Sequence, residues 1–195
     1  MRCADASAGE PLAGTATVAS RFLLVEHRGR WGRNPLDEET ALDGWRQEVA
    51  ASFDGRVLLL RRPDRRDTPE VAFAAEVDHG GGALRSIAVG GDTVTLERPL
   101  FLVCAHGRRD RCCARLGVPV FDALASHVEP DRLWQSSHHG GHRFAANVLV
   151  LPYGIQLGRV TPQDAGMVAA LLADGRVPLD HYRGRTLDSP RCPGS

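Results

Sequence analysis

Cys104 and Cys113 form a C-x8-C pair, and His138 and His142 follow as H-x3-H. Two soft sulfur donors and two imidazoles from separate loops can close a tetrahedral zinc site or share the irons of a diiron cluster. Structural zinc sites usually draw cysteines from knuckles of about two to four intervening residues, and the spacing here is looser. It leans towards a larger object such as a [2Fe–2S] cluster and leaves zinc open. Taken singly, a cysteine after a strand is most often a small core residue and a histidine a surface one. The clustering of four in two glycine-bearing loops is what points to a metal. His106, Cys112, His127 and His139 compete for membership. Cys112 adjoins Cys113, and adjacent side chains do not generally turn to one ion, so it is expected behind the loop or as a free thiol.

The elements around these residues follow from periodicity. Leu100–Cys104 is an apolar run that reads as a buried strand, a rigid mount for its terminal cysteine. A polar loop leads to a helix over Cys113–His127, whose N-terminus favours thiolate. Pro119 suits a first turn and puts the regular helix start near Val118. Gly140 and Gly141 let the backbone turn sharply between the two histidines. Arg132–Gln135 reads as a short strand. Ala146–Leu151 and Ile155–Val160 form a hairpin across Pro152, Tyr153 and Gly154. Thr161 caps a last helix that Gly175 ends.

Residues 99–175 therefore run β-α-β then β-β-α, the thioredoxin-like order. Upstream, Arg21–Glu26, a helix capped at Asp37 or Thr40 and running to Phe53, then Arg56–Leu60, Val71–Val77 and Leu84–Val89 give β-α-β-β-β. The expected architecture is α/β (α+β): a thioredoxin-like C-terminal half, 99–175, packed with a partly similar N-terminal half, 21–98. An arm (1–20) precedes them and a loosely ordered tail (176–195) follows. Trp31, Trp45 and Trp134 are expected in the core.

Composition bounds the function. Hydrophobic residues make up 43% and charged residues 25% of 195, which excludes a mainly disordered chain. The 24 basic residues are all arginine and balance 24 acidic ones, so no global attraction to nucleic acid or anionic membrane is indicated. No apolar window of about 18 residues suggests a membrane span, and the opening residues lack a signal-peptide core. A cytoplasmic location is expected. The five cysteines (Cys3, Cys104, Cys112, Cys113, Cys192) are an odd number with a vicinal pair, which in a reducing compartment favours metal or redox chemistry over structural disulfides.

The phrases CAHGRRDRCCARLGVPV and WQSSHHGGHRFAANVLVLPYGIQLGRVTPQDA resemble the sucrase/ferredoxin-like family, thioredoxin-like ferredoxins. EPLAGTA, FLLVEHRGRWG and VLLLRRP resemble its opening, and the likeness spans roughly residues 3 to 185. The resemblance implies a [2Fe–2S] cluster on Cys104, Cys113, His138 and His142. It carries over no sucrase activity, since no pair of carboxylates stands out for glycoside hydrolysis. The chain ends soon after YRGR, where relatives commonly continue, and RGRWGR is an arginine-rich form of its loop.

Two thiolates and two neutral imidazoles leave an oxidised cluster near zero charge. Its potential is expected above plant-type ferredoxins, as in Rieske centres at about −150 to +300 mV. Imidazole protonation on reduction makes the potential pH-dependent. Arg108, Arg109, Arg111 and Arg143 crowd the ligand loops, either as solvated charge or to dock an acidic partner. The expected function is a single-electron carrier or redox sensor with no catalytic residues, working with a redox protein or reductase that the sequence does not name. The oligomeric state is not specified. The rivals are a thioredoxin-like thiol–disulfide oxidoreductase using Cys112 with Cys113 or Cys104 with Cys113, and a structural Cys2His2 zinc module.

Overall fold

A computed structural model describes residues 3–35, 42, 44–64, 68–88 and 92–188. A short helix, α1 (Cys3–Ala6), precedes β1 (Arg21–Glu26). Then come α2 (Gly44–Ser52), β2 (Arg56–Arg61), β3 (Ala72–Glu76), β4 (Ala83–Ile87) and β5 (Thr93–Thr95). The second half holds β6 (Leu100–Cys104), α3 (Arg111–Leu124), β7 (Leu133–Ser136), β8 (Val148–Leu151), β9 (Ile155–Leu157), α4 (Ala165–Ala173) and β10 (Tyr182–Arg185).

Among the described residues ten strands form one mixed sheet, β10-β9-β8-β6-β7-β2-β1-β3-β4-β5. β1 and β2 are parallel across α2, and β3, β4 and β5 add on antiparallel. β6 and β7 are likewise parallel across α3, and β8, β9 and β10 add on antiparallel. Two five-stranded halves thus share one strand order, and the second, with α4 after β9, has the thioredoxin-like arrangement. They meet where β2 pairs antiparallel with β7, at Leu60↔Ser136 and Arg61↔Gln135. Only the C-terminal ends of these strands overlap, so the loops that leave β1 and β6 face each other across the seam.

Side-chain alternation sets the layers. Phe101 and Val103 of β6 and Val148 and Val150 of β8 pack on Val120, Phe121 and Leu124 of α3 and Val168 and Leu172 of α4. In the first half Leu23, Val25 and Leu59 pack with Ala50 of α2 and Trp31. The helix-free face carries one apolar cluster from both halves, including Phe22, Leu24, Leu84, Leu102, Trp134 and Leu151. In a flat sheet β4 and β8 would lie about 29 Å apart. Here the sheet curls until a Cβ on Gly82, before β4, would stand 2.8 Å from the carbonyl oxygen of Pro152, after β8.

Three expectations are corrected. α3 begins at Arg111, not near Val118, and Pro119 lies inside it. The Asp110 cap and the burial of Val120, Phe121 and Leu124 outweigh the N–H that proline lacks. The tail is not loose up to residue 188: Tyr182–Arg185 is a strand on β9, anchored by an arginine that composition alone would assign to solvent. Trp45 is only half-buried, whereas Trp31 and Trp134 are in the core. β5 was not anticipated. The helix caps expected at Asp37 or Thr40, the end of the strand expected at Val89, and Cys192 lie outside the described residues.

Candidate metal centre

Cys104 ends β6, fully buried, with its backbone N–H donating to the Asn147 carbonyl at 3.0 Å. Cys113 sits in the first turn of α3, also fully buried. Asp110 caps that turn, its Oδ1 accepting from the Cys112 N–H at 2.8 Å. The close approach of α3 to β6 depends on Gly117, one turn after Cys113. A Cβ there would lie 2.0 Å from the Cys104 carbonyl oxygen.

β7 ends at Ser136, and the chain continues along β2. The Ser137 N–H donates to the Leu59 carbonyl at 2.8 Å, and the Arg56 guanidinium donates to the His138 carbonyl at 3.2 Å. His138 Nδ1 then stands 3.8 Å from Cys104 Sγ and 3.6 Å from Cys113 Sγ. The donor atoms of these three residues all lie within 4.8 Å of one another. His142 is not in that group. Its ring centroid is 6.0 Å from that of His138, and its Nε2 is 3.9 Å from Asp110 Oδ2. Its side chain is 45% exposed, whereas both cysteines are fully buried.

The competing residues take other places. His106 Nδ1 accepts from the His138 N–H at 3.2 Å, so its Nε2–H donates to the Gly32 carbonyl at 2.8 Å. Trp31 packs edge-on against the same ring at 5.6 Å. The RGRWGR loop of the first half thereby holds the histidine loop of the second through His106. Cys112 is buried and is a free thiol. His127 lies against Gly166 of α4. His139 is fully buried with neither ring nitrogen hydrogen-bonded, and burial brings its pKa down to about 4, so it is neutral at pH 7.

Two backbone glycines complete the loop. Gly140 and Gly141 have φ of 103° and 72°, and a Cβ on either would meet Thr17 or Arg183. Arg183 of β10 is buried and donates to the Gly140 carbonyl at 3.2 Å, to Asn147 Oδ1 at 2.9 Å and to the Thr15 carbonyl. Asn147 in turn donates to the Gly141 carbonyl at 2.9 Å. Sequence reasoning missed this clamp; the available signal was a likeness that ran on to residue 185. Of the crowded arginines, Arg109 bonds Asn34 at 2.9 Å and Arg143 pairs with Glu10 at 2.8 Å.

The two thiols titrate as a unit. The Cys113 hydrogen bond holds the Cys104 pKa well below that of an ordinary thiol, while that same bond and burial push Cys113 up. One proton leaves readily and the second is held. A cation taking both sulfurs as thiolates would displace it. Both thiols are buried, which denies a protein disulfide the access that exchange requires. Two thiols and an imidazole around one point, with a second imidazole on the rim, fit a soft metal or an iron–sulfur group.

The sucrase/ferredoxin-like family model matches residues 12–184. The chain belongs to the sucrase/ferredoxin-like family. Among curated members, Altered inheritance of mitochondria protein 32 of Meyerozyma guilliermondii is 34% identical over 98 residues, 44% of this chain and 34% of that protein. The namesake of Clavispora lusitaniae is 31% identical over 100 residues, 47% of this chain and 37% of that protein. The match thus spans about a third of the length of these relatives. A thioredoxin-like [2Fe–2S] ferredoxin from Aquifex aeolicus aligns at TM-score 0.40 and 20% identity, over 51% of this chain and 99% of its own. No helix among the described residues is long and apolar enough to cross a membrane.

Proposed function

We propose that this chain holds a [2Fe–2S] cluster on Cys104, Cys113, His138 and His142 and carries single electrons in the cytoplasm for a redox protein or reductase. The observation that supports this most is the convergence of two buried thiols and one imidazole within 4.8 Å, at the C-terminal ends of two parallel strands. The cluster, when bound, supplies a one-electron couple. The chain supplies the rest. Cys104 and Cys113 give up their shared proton, and their burial keeps solvent from the sulfurs. His106 and Arg56 fix the backbone of His138 from either side. His142 stands partly exposed at the rim, its Nε2 3.9 Å from Asp110 Oδ2.

Two neutral ligands in place of two thiolates raise the expected potential above plant-type ferredoxins and make it fall with rising pH. Anaerobically purified protein should be brown, with a rhombic EPR signal on reduction. Replacing both His138 and His142 by cysteine should lower the potential and flatten its pH dependence. A colourless protein with one equivalent of zinc sinks the proposal, and an unchanged potential in the double variant removes the histidines as ligands.

A further inference from the structure

A cavity of about 420 Å3 opens beside His138, between the end of α2, the start of β2 and the loops that leave β1 and β6. Arg33, Arg56 and Arg109 line it, one from each of three segments, and none of its described lining residues is acidic. Arg33 and Arg109 are exposed, so by themselves they are ordinary solvated charges. Arg56 is different. It is half-buried, and among the described residues its one hydrogen bond goes to the His138 carbonyl, which leaves the other donors of the guanidinium unused. Partial burial disfavours its charge, and among the described groups Cys104 offsets that only in part; a bound anion would offset it further. Arg109 is oriented by Asn34 Oδ1, a neutral acceptor that positions it without cancelling its charge. Ala50, Phe53 and Val57 add apolar surface to the lining. The volume is that of a small-molecule site, for which an apolar wall with a few convergent polar groups is the usual construction.

We propose that this cavity binds a small organic anion, an apolar body bearing a carboxylate or a phosphate, held by Arg33, Arg56 and Arg109 against His138. Arginine's planar fork suits either group through paired N–H donors. The site stands whether or not a cluster is bound, so it goes beyond the electron-carrier reading, and anion titration and cluster spectra fail independently.

The test is calorimetric titration of the full-length protein as purified, with 2-naphthoate, 2-naphthyl phosphate, inorganic phosphate and the neutral 2-naphthamide. The expected result is one-to-one binding of naphthoate or naphthyl phosphate at least tenfold tighter than the amide, with inorganic phosphate weaker than its aryl ester. The tighter of the two aryl anions identifies the preferred head group. Arg56→Gln should weaken binding about tenfold, Arg109→Gln less, and Arg176→Gln, exposed beyond the end of α4, not at all. Arg109→Gln lies on a surface loop and serves if Arg56→Gln fails to fold. Equal affinity for the amide overturns the proposal. So does the absence of binding by both aryl anions, or binding indifferent to the arginine variants.

Discussion

Gly117→Ala tests how the two cysteines are brought together, because two physical effects predict opposite signs. Helix propensity alone makes alanine in the interior of α3 stabilising by about 1 kcal/mol. The packing says otherwise. The new Cβ would lie 2.0 Å from the Cys104 carbonyl oxygen and 3.1 Å from its carbon. Ordinary contact needs 3.4 Å or more, so α3 must retreat from β6 by over an ångström. Both atoms in the clash belong to backbone, so no side chain can rotate out of the way. Overpacking of this kind costs about 1–3 kcal/mol, and a backbone clash sits at the upper end. Subtracting the propensity gain leaves a net loss of about 2 kcal/mol, which for a chain of this size lowers Tm by roughly 4–8 °C. Thermal unfolding followed by circular dichroism on the metal-free protein measures it. Cys113 lies one turn before Gly117, so the same retreat pulls its sulfur from Cys104, and metal occupancy should fall in parallel. A variant more stable than the parent would refute the account of how the site is assembled.

Other perturbations reach the same loops. Arg183→Met should cost about 1–3 kcal/mol in urea unfolding, since the Gly140 carbonyl and Asn147 Oδ1 lose their buried donor; a loss under 1 kcal/mol would show that the clamp is not needed. Asp110→Ala removes the cap of α3 and should cost about 1 kcal/mol and weaken metal retention, with an unchanged melting curve the contrary result. His139→Leu should raise the stability of the metal-free protein, because it removes two buried nitrogens without partners. The pH dependence follows from the same ring. His139 has a pKa of about 4 in the fold against 6.5 free, so the unfolded chain binds the extra proton between these values. Keeping His139 neutral carries no pH penalty above about pH 6.5, and the fold loses about 3 kcal/mol of stability through it as pH drops to 4. Urea midpoints from pH 7 to pH 4 should show that slope in the parent and lose much of it in His139→Leu.

Strand-ending residues and turn chemistry were legible in the sequence because local periodicity determines them. Leu100–Cys104, the hairpin after Ala146 and the helix that Thr161 begins all have their signal within a few residues. The position of Cys104 at a strand end and of Cys113 at a helix start is equally local. What was hidden depends on contacts between distant segments. Arg183 sits in a stretch rich in charge and glycine, and nothing nearby says that Thr15, Gly140 and Asn147 will surround it. From sequence His106 looks like a rival donor, because its partners, Gly32 and the His138 N–H, lie on different loops. The common strand order of the two halves was obscured too. Sheet order is a matter of pairing, and the repeat carries no matching wording. β1 ends in Glu26 where β6 ends in Cys104; the Glu26 carboxylate pairs with Arg28 and accepts the Val71 N–H.

The seam between the halves has a consequence for how the centre responds to its surroundings. Two ladder pairs set its register, and the groups that steady His138 reach it from the first half: Gly32 through His106, and Arg56 directly. A protein that docks on the first half and tilts it by even a fraction of an ångström therefore acts directly on the geometry of a donor carried by the second. A shift of one half against the other would move His138 without any contact to a cysteine or a histidine.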